Sequence, residues 1–116
     1  MSETSAPLTA AMFNVLLALS DGDKHGYAVL KDVAAQTDGE VQLSTGTLYG
    51  IVKRLLSEGM IVELRRRPAA EDDDSRRRYY HLTAEGRKVA VAEAVRMEKL
   101  LERARAKRLI QQLRHA

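Results

Sequence analysis

One stretch narrows the folds open to this chain more than any other: residues 43–59, LSTGTLYGIVKRLLSEG. Leu48, Ile51, Val52, Leu55 and Leu56 recur at i, i+3, i+4, i+7 and i+8, the spacing of one buried helical face. Ser44 stands where an N-cap hydroxyl is expected, and Gly59 where a left-handed residue closes a helix. At about 100° per residue, Gly46, Thr47, Gly50, Lys53, Arg54 and Ser57 fall on the opposite face. A helical glycine costs about 1 kcal/mol against alanine, and one physical use for it is the close approach of another backbone. Taken alone, the pattern also fits a plain amphipathic surface helix with its basic residues outside.

The flanking segments decide between these readings. Thr9 reads as the N-cap of a first helix, with Leu8 and Phe13 placed as a hydrophobic staple. Met12, Phe13, Val15, Leu16, Leu17 and Leu19 make that helix apolar on most sides, which predicts burial all round. A small domain can hardly cover such a helix, so a partner chain is expected; the other reading is a central helix in a monomer. Asp21-Gly22-Asp23 is a turn, and His25-Gly26-Tyr27 opens a second helix whose Val29, Leu30, Val33 and Ala34 keep the helical spacing. Thr37-Asp38-Gly39 stops it. Two helices joined by a short connection, the second with a basic, glycine-bearing face, form a helix-turn-helix arrangement.

After Gly59 the period changes from 3.6 to 2. Met60, Val62 and Leu64 alternate with Ile61, Glu63 and Arg65, and Arg78, Tyr80 and Leu82 alternate with Tyr79 and His81, as in two strands. Between them RRRPAAEDDDSRRR carries six arginines against four acids, Glu71 to Asp74, a net of +2. A basic hairpin directly after a helix-turn-helix is a wing, whose cations can reach phosphates or the minor groove. The same loop also suits arginines paired to their own acids, each pair worth about 0–1 kcal/mol.

Thr83-Ala84-Glu85-Gly86 starts a last helix, with Thr83 as N-cap and Glu85 in the dipole-favoured first turn. No proline follows, so the helix is expected to run to the end of the chain, about 45 Å. Met97, Leu100, Leu101 and Ala104 share one face; Val91, Ala92 and Val95, then Ala106, Leu109, Ile110 and Leu113, fall roughly opposite. A helix apolar on two sides touches more than one neighbour, and dimerisation is the natural reading.

With 116 residues there is material for one domain, and the formal charge of +3 is compatible with nucleic acid without establishing it. The absence of Cys removes disulfides, thiolate metal sites and thiol nucleophiles. No apolar run approaches the ~18 residues of a membrane span, and MSETSAPL does not read as a signal peptide. A cytoplasmic protein is therefore expected. His25, His81 and His115 are scattered, and the EDDD tip lacks the glycine and ligand spacing of a calcium loop. No catalytic residue, no metal ligand, no cofactor and no enzyme activity are expected.

His25-Gly26-Tyr27, Ser44-Thr45-Gly46-Thr47-Leu48-Tyr49, Leu55 with Glu58-Gly59-Met60-Ile61, and Arg78-Tyr79-Tyr80-His81-Leu82-Thr83 with Glu85-Gly86-Arg87 follow one another in fixed order and spacing. Together they resemble the PadR family of transcriptional regulators, over about residues 8–87, in its short-chain subgroup with a single C-terminal helix. The resemblance implies a winged helix-turn-helix domain, a homodimer held by the last helix, and repression of transcription. Some members respond to phenolic acids or to flat hydrophobic drugs bound near the dimer interface. Two departures stand out. The family often has Pro after the tyrosine of its recognition helix, where this chain has Gly50. Members that stack flat drugs do so on a tryptophan of the last helix, and this chain has no Trp.

The fold expected is mainly α with a small β-hairpin: a disordered N-terminus at 1–7, a winged helix-turn-helix domain at 8–82 and a dimerisation helix at 83–116. The expected function is sequence-specific DNA binding by a homodimeric repressor released by a small hydrophobic or phenolic effector. Its duplex partner would be a pseudo-palindromic operator. Ser44, Thr45, Thr47, Tyr49, Gly50, Lys53 and Arg54 would face DNA from the helix, and Arg76, Arg77 and Arg78 from the wing. Tyr49 and Tyr27 are equally suited to a core or interface position where the hydroxyl finds a partner. Met12, Phe13, Leu16, Met97, Leu100, Leu101, Ala104, Leu109, Ile110 and Leu113 would form the dimer interface. The alternative is a winged-helix protein-interaction module without an operator, favoured by the acidic wing tip and separated from the first reading by salt-dependent duplex binding.

Overall fold

The computed structural model describes residues 8–64 and 78–111. The expected disordered N-terminus, the wing tip with Arg76, Arg77 and the Glu71–Asp74 acids, and Leu113 and His115 lie outside them. Each helix starts where a capping side chain allows it. Helix α1 (Ala10–Leu19) begins at Thr9, whose Oγ1 accepts from the Met12 N–H at 3.1 Å. Strand β1 (Lys24–His25) leads directly into α2 (Gly26–Gln36), and His25 Nδ1 accepts from the Ala28 N–H at 3.2 Å. Helix α3 (Thr45–Ser57) is capped by Ser44, and its end is a left-handed closure. Gly59 has φ +77°, its N–H reaches the Leu56 carbonyl and the Met60 N–H reaches that of Leu55.

Strands β2 (Ile61–Leu64) and β3 (Tyr79–Leu82) form the hairpin, with Ile61 opposite Leu82 and Glu63 opposite Tyr80. Ile61, Tyr80 and Leu82 turn into the core while Val62 and His81 face out. The sheet has three strands rather than two, in the order β1-β3-β2, all antiparallel. Two residues are too short to show a period, which is why β1 does not read as a strand in the sequence. Lys24 anchors it: its Nζ lies 2.5 Å from the Ala18 carbonyl, 2.5 Å from Asp21 and 3.2 Å from Asp32. Burial pushes the Lys24 ammonium down, but hydrogen bonds to the two carboxylates outweigh it and hold it above its ordinary value.

Helix α1 is the centre of the core. Met12, Val15, Leu16, Ala18 and Leu19 are buried among Val29 and Val33 of α2, Leu48, Val52 and Leu55 of α3, and Ile61, Tyr80 and Leu82 of the sheet. This corrects part of the interface expectation. Met12 and Leu16 are 2% and 0% exposed within a single chain, so they have no surface left for a partner. The apolar circumference of α1 is explained largely by its own domain. Of its large apolar side chains, half-buried Phe13 and exposed Leu17 remain outside.

Helix α4 (Ala84–Ala106) starts at Thr83 and is shorter than the sequence suggests. It stops because Arg108 turns left-handed at φ +65°, with its N–H on the Arg105 carbonyl and the Leu109 N–H on that of Ala104. Leu109 and Ile110 therefore lie beyond the helix rather than on its stripe. Of all its residues only Gly86 is buried, with Val89 and Ala90 packed against the core. Val91, Val95, Leu100 and Leu101 are exposed large hydrophobics, and Met97 and Ala104 are half-buried. None of the described helices is long and apolar enough to cross a membrane.

Candidate nucleic-acid interface

The sequence places Leu48, Val52 and Leu55 of α3 in the core, and that turns the glycine-bearing face outward. A side chain built on Gly46 or Gly50 would meet nothing within 4 Å. Thr45, Thr47, Lys53 and Ser57 are exposed beside them. The result is a helix side that is nearly bare backbone for its first two turns, with a cation in the next turn. Lys53 makes no ion pair among the described residues.

Other residues assigned to this face are partly engaged elsewhere. Ser44 Oγ accepts from the Thr47 N–H at 3.0 Å and lies 3.0 Å from Thr47 Oγ1, so its hydroxyl serves the helix start. Arg54 is half-buried and donates from Nε to Glu58 at 2.9 Å, along its own helix. Arg78 pairs with Glu63 at 3.0 Å across the base of the wing. Both side chains stay substantially exposed there. His81 Nδ1 lies 2.7 Å from Asp23 and ties β3 to the turn before α2.

Tyr49 marks the flank of the open face. It is 44% exposed, and its ring lies over the start of α2: a Cβ on Gly26 would sit 2.6 Å from the Tyr49 hydroxyl oxygen. Gly26 is thus what lets α2 approach α3. Gly26→Ala should leave the fold intact, because the opposing atom is the end of a flexible side chain, but should displace the Tyr49 ring. The Tyr49 hydroxyl and ring NMR shifts would report this; unchanged shifts would contradict the contact.

A second glycine couples α3 to α4. The Thr83 hydroxyl lies 2.7 Å from the Gly59 carbonyl and 2.9 Å from that of Met60, and accepts from the Gly86 N–H at 2.9 Å. A Cβ on Gly86 would fall 2.0 Å from the Met60 carbonyl oxygen. The chain just after α3 and the start of α4 are therefore in backbone contact. Sequence reasoning finds Thr83 as a cap but not this second role, because the contact joins positions distant in the chain.

Beside α4, Phe13, Leu17, Leu82, Ala90, Val91 and Ala94 line an open apolar groove of about 160 Å³, with Arg87 and Ser20 at its edge. The Arg87 guanidinium donates to the Ser20 carbonyl at 3.0 Å. Among the described residues no group of His, Asp and Glu converges as metal ligands would.

Residues 15–92 match the model of the transcriptional regulator PadR-like family. The chain belongs to that family. Its fold is the winged helix-turn-helix of PadR-like regulators, whose members are transcription regulators rather than enzymes. Among solved structures, a transcriptional regulator from Clostridium thermocellum is 27% identical, with a TM-score of 0.68 over 85% of this chain and 89% of that one. A PadR family regulator from Clostridium difficile R20291 is 22% identical, with a TM-score of 0.69 over 88% of this chain and 100% of the other. BpsR of Bordetella bronchiseptica, whose DNA binding is regulated by 6-hydroxynicotinic acid, is 24% identical, with a TM-score of 0.62 over 84% and 61%. No curated protein matches the chain.

Proposed function

We propose that this PadR-like protein is a homodimeric, sequence-specific repressor whose α3 enters the major groove of a pseudo-palindromic operator. The observation that carries the reading is the bare Gly46–Gly50 side of α3 with Lys53 beyond it. The two glycines let the helix backbone come close to base edges, and Lys53, with no ion pair among the described residues, supplies a phosphate or guanine contact. Thr45 and Thr47 add hydroxyls at the helix start, where the dipole favours anions. Arg78, exposed at the base of the wing, adds a further cation.

A second copy is the expected occupant of the two exposed apolar faces of α4, Leu100 with Leu101 and Val91 with Val95, and of the groove beside Phe13 and Leu17 that Val91 lines. Sedimentation at micromolar concentration should give twice the 12.9 kDa chain mass. Because Leu101 lies outside the protomer's core, Leu101→Glu should yield a folded monomer, visible as an unchanged helical spectrum at half the mass. A wild-type protein that sediments as a monomer removes the dimer from the reading.

Regulation of BpsR by a small aromatic acid supports release of this protein by a small hydrophobic or phenolic effector. Selection of duplexes from a random pool tests the DNA reading. It should return inverted repeats with half-sites about 10 base pairs apart or a multiple of that. A selection that enriches no common sequence argues for a docking module instead.

A further inference from the structure

The start of α2 carries a surface patch that the DNA reading does not use. Tyr27 is 58% exposed, and Lys31, one turn later, holds its ammonium 5.4 Å from the centre of the Tyr27 ring. The His25 ring lies parallel to that of Tyr27 at 6.5 Å and edge-on to Tyr79 at 5.2 Å. Lys31 makes no ion pair among the described residues, and its neighbour Asp32 turns to Lys24 instead.

The patch is bracketed by two elements of the proposed DNA surface. On one side Gly26 meets the Tyr49 hydroxyl of α3. On the other Tyr79 begins β3, next to Arg78 at the base of the wing. A duplex that takes α3 in its groove and meets the wing beside it must pass this patch. In helix-turn-helix docking the first helix crosses the sugar-phosphate backbone.

We infer that Tyr27 and Lys31 form a phosphate contact of their own, to the strand bordering the groove that α3 enters. The Tyr27 hydroxyl donates to a phosphate oxygen, and Lys31, steered by the ring beneath it, neutralises the same or the next phosphate. These contacts set register and carry no base information. The inference rests on the DNA-binding reading above.

The test is a salt titration on a mixed-sequence duplex of about three helical turns, with wild type, Lys31→Gln, Tyr27→Phe and Lys53→Gln. Both α2 side chains are exposed, so thermal midpoints should match wild type. Lys31→Gln should reduce the slope of log K against log salt by about 0.9, the loss of one phosphate contact. Tyr27→Phe should weaken binding about tenfold, as for a lost hydrogen bond to a charged group, and equally on scrambled sequence. Ethylating single phosphates should identify one that interferes with wild type and not with Lys31→Gln. If Lys53→Gln reduces the slope while Lys31→Gln leaves it and the ethylation pattern unchanged, the α2 contact is wrong and the regulator reading stands. If wild type shows no salt-dependent binding to any duplex, the regulator reading itself fails.

Discussion

Replacing Gly86 with alanine should destabilise the protein more than any other single methyl added to it. The new Cβ would lie 2.0 Å from the Met60 carbonyl oxygen and 2.8 Å from a Leu82 methyl. The first of these is backbone, so no rotamer relieves it, and α4 must back away from the end of α3. Overpacking of this kind costs roughly 1–3 kcal/mol and occasionally more, and here the upper end applies. In a domain of this size that corresponds to a fall in thermal midpoint of roughly 10–20 °C. Moving α4 also strains the bonds of Thr83 to Gly59 and Met60. Thr83→Ser should keep those bonds, whereas Thr83→Val should lose about 0.5–2 kcal/mol with the cap. Calorimetry reads all three variants, and a Gly86→Ala midpoint equal to wild type would mean the contact between the helices is looser than described.

Gly50→Leu should do the reverse: abolish specific DNA binding while leaving the thermal midpoint equal or higher. Gly50 has open space where its side chain would be, so nothing in the fold resists the change. Leucine is the better helix former by about 1 kcal/mol. The same side chain would stand on the bare stretch of α3, between the helix backbone and the base edges. Gly50→Ala should gain most of the stability and lose less of the binding. The measurement is a titration on a selected operator and its scrambled form at fixed salt. Gly50→Leu binding the operator as tightly as wild type would show that this face of α3 is not the one in the groove.

The two glycines are alike in that each sits inside a helix. Their opposite roles depend on what stands opposite: backbone at Gly86, open space at Gly50. The same holds for the two arginines closest to the expected interface. Arg54 and Arg78 read as DNA contacts from their positions, yet they lean on Glu58 and Glu63. A sequence gives the distance along the chain between such groups, and only for Arg54, one helical turn from its acid, does that distance hint at the pair.

What the chain determines locally was legible: Thr9, His25, Ser44 and Thr83 all precede helices, Gly59 closes one, and the change of period marks the hairpin. Caps, amphipathic spacing and turn residues act over a few positions, so their physics is contained in the order of residues. The tertiary structure decided the rest. It took Met12 and Leu16 into the protomer's own core, added β1 to the sheet, ended α4 at Ala106 and set α2 against Tyr49 through Gly26. Most of these outcomes turn on which surfaces meet across long stretches of chain, and burial of apolar area is non-directional. The spacing of Met12 and Leu16 says that they must be covered; only the packed domain says that their own chain does the covering.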